Sequence, residues 1–332
     1  MSAELVIIIF VIVGVGFLAF HFIRNIIRPK RITTDYRNRT KILQAVKSAK
    51  AAVERDPKDP EAHFLLGKAF LADKRDEQAL REYRSASRLG ISGKNIPETE
   101  FRETIAALYA RFHEPEEALR EYILLIKKHP ENPDYYFQAG RLFPGRNRPD
   151  LAEQYMKKAV SLNPGEEQYR FELGVQYFLS KKTRESTSEF EAVVKMNPAN
   201  GHAHLYLGKI LKGAKDYSGA IPYLEKASRE QERKLQALVE IGSCYMSLRM
   251  LDKAIMELER AVNVITKEDE GDSLYARYFL AMCYEKKRDY PRAVTQWELI
   301  YAQKKSFKDV GEKLTRYIEY RQENTEAASP KQ

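Results

Sequence analysis

The chain has 332 residues, 43 % of them hydrophobic and 31 % charged, with a formal net charge of +9. That composition suits a helical body with a solvated surface and excludes a polytopic membrane protein, a collagen-like chain or a low-complexity chain. Two cysteines without a CxxC pair exclude a disulfide scaffold and a zinc knuckle.

Leu5 to Ile23 reads LVIIIFVIVGVGFLAFHFI. Helical residues rise about 1.5 Å each, so a run of this length reaches roughly 28 Å, close to the thickness of a bilayer core. The segment before it carries Glu4 and neither Lys nor Arg, and no small-residue cleavage site follows. A retained transmembrane anchor over 1–23 is therefore expected rather than a cleaved signal. Residues 24–41 form a basic flank, with seven basic residues and one acidic residue between Arg24 and Lys41. The positive-inside rule then predicts a single-pass inner-membrane protein with cytoplasmic repeats, periplasmic repeats being the alternative. The flank accounts for most of the charge excess, so no nucleic-acid partner is expected.

Residues 42–59 are predicted to form a half-repeat cap helix that places Ala45 and Ala52 at positions 20 and 27 of a 34-residue unit. Beyond it, Pro130, Pro164 and Pro198 recur every 34 residues. Seven units fit this period: 60–93, 99–132, 133–166, 167–200, 201–234, 235–268 and 274–307. A small residue recurs at the eighth position of each (Gly67, Ala106, Gly140, Gly174, Gly208, Gly242, Ala281) and at the twentieth (Ala79, Ala118, Ala152, Ser186, Ala220, Ala254, Ala293). Small residues there let two helices approach closely. Large residues at positions 11 and 24 fill the gap between units. The insertions KNIPE at 94–98 and DEGDS at 269–273 are expected to be loops. Val310, Leu314 and Ile318, spaced i, i+4, i+8, predict a capping helix over 308–322, followed by a disordered tail at 323–332.

This register resembles the tetratricopeptide repeat (TPR) family. The resemblance implies an all-α TPR α-solenoid, a right-handed superhelix of helical hairpins. With the N-terminal single transmembrane helix, the layout is similar to that of membrane-anchored bacterial TPR proteins. In the family the first helix of each unit lines a concave face, with positions 2, 5, 9, 12 and 13 turned to a ligand. Carried onto this chain, the groove residues are Phe64, Lys68, Leu71, Phe137, Arg141, Phe171, Phe178, Leu205, Lys209, Lys212, Val239, Met246, Tyr275, Tyr278 and Met282. This apolar and basic strip would suit a helix or extended peptide bearing apolar and acidic residues. No unit has Asn at position 9, so the clamp that holds chaperone tails is not expected. The function implied is a membrane-anchored scaffold or adaptor that recruits or assembles partner proteins. The alternative is a structural part of an envelope assembly, such as a spirochaete periplasmic flagellar collar.

No catalytic constellation is present. None of the six histidines forms HExxH, and no GxGxxG or Walker motif occurs. His202 and His204 form HxH, a spacing that sends helical side chains to different faces. No enzyme, cofactor or metal is expected. Cys244 and Cys283 share position 10 and are read as packing residues, and Trp297 at position 24 is read as core.

Overall fold

The computed structural model describes residues 29–92, 95–143, 148–266 and 270–318. All regular structure among these residues is helical. The chain divides into two bodies, Met1–Arg146 and Asn147–Gln332.

In the first body, α1 (Pro29–Arg55) packs on α2 (Pro60–Ala72), which pairs with α3 (Asp76–Leu89). The pair α4 (Glu98–Arg111) and α5 (Pro115–Lys128) follows, then α6 (Pro133–Leu142). The second body begins with α7 (Pro149–Leu162) and continues as pairs. These are α8 (Glu167–Leu179) with α9 (Thr183–Met196), α10 (Gly201–Gly213) with α11 (Tyr217–Ala227), α12 (Gln231–Ser247) with α13 (Leu251–Asn263), and α14 (Glu270–Lys286) with α15 (Tyr290–Gln303). A last helix, α16, covers 310–318.

Among the described residues, six of the first helices end in the same way. Lys74, His113, Lys181, Lys215, Arg249 and Arg288 all take positive φ, between 58° and 66°. Each stands at position 15 of its unit. The next amide donates back five residues, as in Arg75 N to Phe70 O at 2.9 Å and Asp289 N to Tyr284 O at 2.9 Å. This closure ties up carbonyls the helix leaves unpaired. Glycine would adopt this φ without strain, but the lysine or arginine at five of these positions faces the negative end of the helix dipole, which offsets part of the cost. Several helix starts are capped by side chains, Asp59 accepting from Glu61 N and Ala62 N, and Asn200 from Ala203 N.

Positions 20 and 27 form the seam inside each pair. Ala79, Ala118, Ala152, Ala220, Ala254 and Ala293 are fully buried, as are Ala86, Leu125, Ala159, Val193, Ala227, Ala261 and Ile300. Ser186 takes the place of alanine in its unit, and its hydroxyl donates to Gly174 O at 2.9 Å. The space over position 8 is filled by position 24. A Cβ on Gly67 would lie 2.7 Å from the Tyr83 ring, and one on Gly242 would lie 2.5 Å from Leu258 Cγ.

A second device joins the two helices of a pair at a spacing of nineteen residues. His63 meets Glu82 at 2.6 Å, Arg102 meets Glu121 at 2.7 Å, Arg170 meets Glu189 at 2.9 Å and Arg277 meets Gln296 at 3.0 Å. His63, Arg170 and His204 also contact the carbonyls of Pro57, Pro164 and Pro198 at 3.1, 2.8 and 2.9 Å. Position 4 thus ties its own pair together and binds the turn before it.

Other expectations need correction. Among the described residues no helix is long and apolar enough to cross a membrane. This overturns the single-pass inner-membrane placement with cytoplasmic repeats; the longest described helix, α1, is rich in Lys and Arg. The expected span over 5–23 and the tail at 323–332 lie outside the described residues. The cap helix runs back to Pro29 and turns Val46 and Ala49 inward, leaving Ala45 exposed. The buried edge of α1 packs on α2. The insertion at 269–273 is helical from Glu270 onward, and Glu98 opens α4. Of the final stripe, Val310 is buried and Ile318 is exposed.

Ion pairing between successive pairs gives a test by pH. Buried Glu153 binds Lys157 and Lys182, each at 2.6 Å. Burial alone would raise its carboxyl, but the two ammonium groups outweigh this and hold it below its ordinary 4.5. A carboxylate depressed in the folded state stabilises above its unfolded pKa, and the contribution disappears as pH falls through the folded value. The unfolding midpoint should drop as pH falls below 4.5. Glu153→Gln should be less stable at neutral pH and show a shallower acid dependence; parallel pH profiles would contradict this.

Candidate functional site

The expected groove residues divide by depth. Phe64, Phe137, Leu205, Val239 and Tyr278, all at position 5, are buried. Phe64 illustrates why, for its ring lies 5.8 Å from Tyr83 and 6.0 Å from Phe101 of the following unit. Leu71, Phe171, Phe178, Lys209, Lys212, Met246 and Met282 are half-buried, while Lys68, Arg141 and Tyr275 are exposed.

Much of the expected basic strip is internally neutralised. Lys68 reaches Glu100 at 2.6 Å, an exposed pair of little energetic weight. Lys209 and Lys212 converge on one carboxylate, Glu240, at 3.9 and 2.5 Å. The Arg141 guanidinium lies 5.7 Å from the Phe137 ring centre.

In the second body, α8, α10 and α12 bring several of these residues together around two cavities. One, of about 480 Å³, has Phe171, Val175, Leu205 and Tyr206 on its walls with His202, Lys209 and Arg233 among the polar groups. The other, of about 740 Å³, is lined mainly by apolar groups: Phe178, Leu179, Ile210, Gly213 and Ala214, with Lys181 and Lys209 beside them. Lys209 borders both. Tyr206 organises the floor, stacking on Phe190 at 4.9 Å and meeting Phe178 edge-on at 5.1 Å. Burial raises its hydroxyl pKa. Leu179, 64 % exposed, is the most exposed of the large apolar side chains described. Val175 and Leu179 occupy positions 9 and 13, so the register that selects Phe178 also selects them. Tyr206, at position 6, has no such signal.

The free charges of this face are Lys181 and Arg233. Neither forms an ion pair with a carboxylate among the described residues. Arg233 instead donates from Nε to His202 Nε2 at 3.1 Å. His202, Glu230 and Glu232 place possible ligand atoms within 4.8 Å of one another. The imidazole lone pair there is already engaged by a cation, which disfavours a metal ion at the same point. The face can hold an apolar side chain and one or two anionic groups.

The thiols offer no competing chemistry. Cys244 and Cys283 are buried, and burial pushes each up to about 11. A thiol-specific disulfide reagent should leave the folded chain unlabelled and label both cysteines after unfolding. Rapid labelling of the native protein would contradict their placement.

The family model described as "Tetratricopeptide repeat" matches residues 34–93, 104–167 and 180–227, and a second model of the same description matches 235–266. The chain is 21 % identical over 234 residues to anaphase-promoting complex subunit 3 of Schizosaccharomyces pombe, covering 70 % of this chain and 29 % of that protein. It is 23 % identical over 233 residues to the BBSome complex member BBS4 homolog of Drosophila melanogaster, covering 69 % of this chain and 46 % of that protein. The chain thus spans less than half the length of either relative. A tetratricopeptide repeat protein from Parabacteroides merdae superposes with a TM-score of 0.56 at 13 % identity, over 77 % of this chain and 97 % of that one, a likeness of fold.

Proposed function

The chain belongs to the tetratricopeptide repeat family, and from that premise we propose that it is a non-catalytic scaffold whose α8–α10–α12 face binds a partner polypeptide. Proteins of this family generally mediate protein–protein interaction and assembly. The observation that carries the reading is the pair of adjoining cavities sharing Lys209, with Leu179 exposed at the rim. An apolar surface held open by packed aromatics is the usual anchor site of a helix or strand ligand. The partner segment presents an apolar side chain to Phe178, Leu179 and Ile210, and an acidic one to Lys181 or Arg233. The names of the two relatives, each a member of a multi-subunit complex, support a role in assembly.

Panning a displayed library of random short peptides on the full chain tests this. Enriched sequences should share an apolar anchor and a nearby Asp or Glu. Absence of enrichment, or enrichment of basic sequences, would contradict the reading.

A further inference from the structure

A separate cavity of about 210 Å³ lies in the last repeat and its cap helix, away from the α8–α10–α12 face. Its walls are Glu285, Tyr290, Trp297, Lys313, Arg316 and Tyr317. It is smaller than the sites that enclose whole cofactors or drug-sized ligands, which run from roughly 300 Å³ upward. Its volume suits one side chain.

The polar groups on the wall are unevenly satisfied. Lys313 Nζ lies 2.8 Å from Glu285 Oε2 and 3.8 Å from Asp309 Oδ2, and 5.2 Å from the centre of the Trp297 ring. Its charge is therefore balanced. Arg316 forms no ion pair among the described residues. Trp297 is 2 % exposed, yet its indole Nε1 has no hydrogen-bond partner among the described residues. A buried donor left without an acceptor destabilises the fold unless a ligand supplies one. The buried unsatisfied group is a donor, and the exposed Arg316 guanidinium adds further donors at the rim. The tyrosine rings of Tyr290 and Tyr317, 6.1 Å apart, supply apolar walls for a short aliphatic stem.

We propose that this cavity is a binding site for an acidic side chain, Glu or Asp, of a partner polypeptide. The carboxylate is held by the Arg316 fork and its stem lies among the tyrosine and tryptophan rings. A guanidinium matches a carboxylate with two parallel hydrogen bonds, which a neutral amide cannot reproduce. The Glu285 carboxylate on the same wall disfavours a doubly charged phosphate.

Trp297 is the sole tryptophan of the chain, so its fluorescence reports on this cavity alone. N-acetyl-glutamate amide titrated into the full chain should change the emission saturably. N-acetyl-glutamine amide, of the same shape without the charge, should bind at least about tenfold more weakly. Arg316→Gln, an exposed substitution that should leave the unfolding midpoint unchanged, should abolish the preference for the acid. The assignment is overturned by an unsaturable response, by equal responses to the two amides, or by a preference that survives Arg316→Gln. Inorganic phosphate binding more tightly than the glutamate amide would also overturn it. None of these outcomes bears on peptide binding by α8, α10 and α12.

Discussion

Phe190→Ala should lower stability by about 4 kcal/mol, the range found when a fully enclosed phenylalanine is truncated. The ring has no solvent exposure. It fills the place where a Cβ on Gly174 would stand, lies 5.7 Å from Phe171 and stacks on Tyr206 with planes 13° apart. Alanine would leave a void bordered by two helix pairs. Because each pair in a repeat array contacts only its neighbours, the loss falls on one junction and should uncouple it from the rest. With a urea slope of about 2 kcal/mol per molar, the midpoint should fall by about 2 M, or the transition should split in two. Peptide binding should weaken in the same variant, since Phe171 and Tyr206 shape the first cavity. A shift below about 0.5 M with a single transition would contradict the packing described.

Gly67→Val should cost about 3 kcal/mol in the first body, the upper end for overpacking a dense core. The added Cβ alone would meet Tyr83 Cδ2 at 2.7 Å and Cε2 at 2.8 Å. The tyrosine cannot withdraw, for it is 1 % exposed and its ring is held by Phe64 at 5.8 Å and Phe101 at 5.3 Å. Leaving glycine in a helix gains only a few tenths of a kcal/mol to about 1 kcal/mol, too little to reverse the sign. Gly213→Ala makes the contrast, because nothing lies within 4 Å of its Cβ. That variant should be neutral or slightly stabilised. Equal effects at the two glycines, measured by urea unfolding, would show that steric fit is not what selects glycine at Gly67.

The repeat register was readable because it depends on size. Gly67, Gly174, Gly208 and Gly242 mark close approach, and the residue sixteen places later (Tyr83, Phe190, Leu224, Leu258) fills the space. The fate of position 5 was not readable. Whether Phe64 or Tyr278 faces a ligand depends on which side chains pack against it, here Phe101 of the next unit in one case and Phe307 at the end of its own unit in the other. The basic strip misled for a similar reason. Lys209 and Lys212 look available until Glu240 is brought across from α12, the first helix of the next unit. The nineteen-residue pairing was present as His63–Glu82, Arg102–Glu121 and Arg170–Glu189, a spacing that no single-helix periodicity brings out. The left-handed turn at Lys74 and its equivalents escaped because lysine, arginine or histidine stands where glycine would have announced it. Helix starts such as Glu270 shifted because an insertion can lengthen a helix as readily as a loop.

The claim that α8, α10 and α12 carry the binding face is tested most directly by calorimetric titration of one library-selected peptide. Wild type should be compared with Leu179→Glu on that face and Met256→Glu on α13. Both side chains are exposed, 64 % and 52 %, so neither substitution should disturb folding. Leu179→Glu should raise Kd at least about tenfold, about 1.4 kcal/mol, while Met256→Glu leaves it unchanged. Binding lost in Met256→Glu and retained in Leu179→Glu would contradict the account.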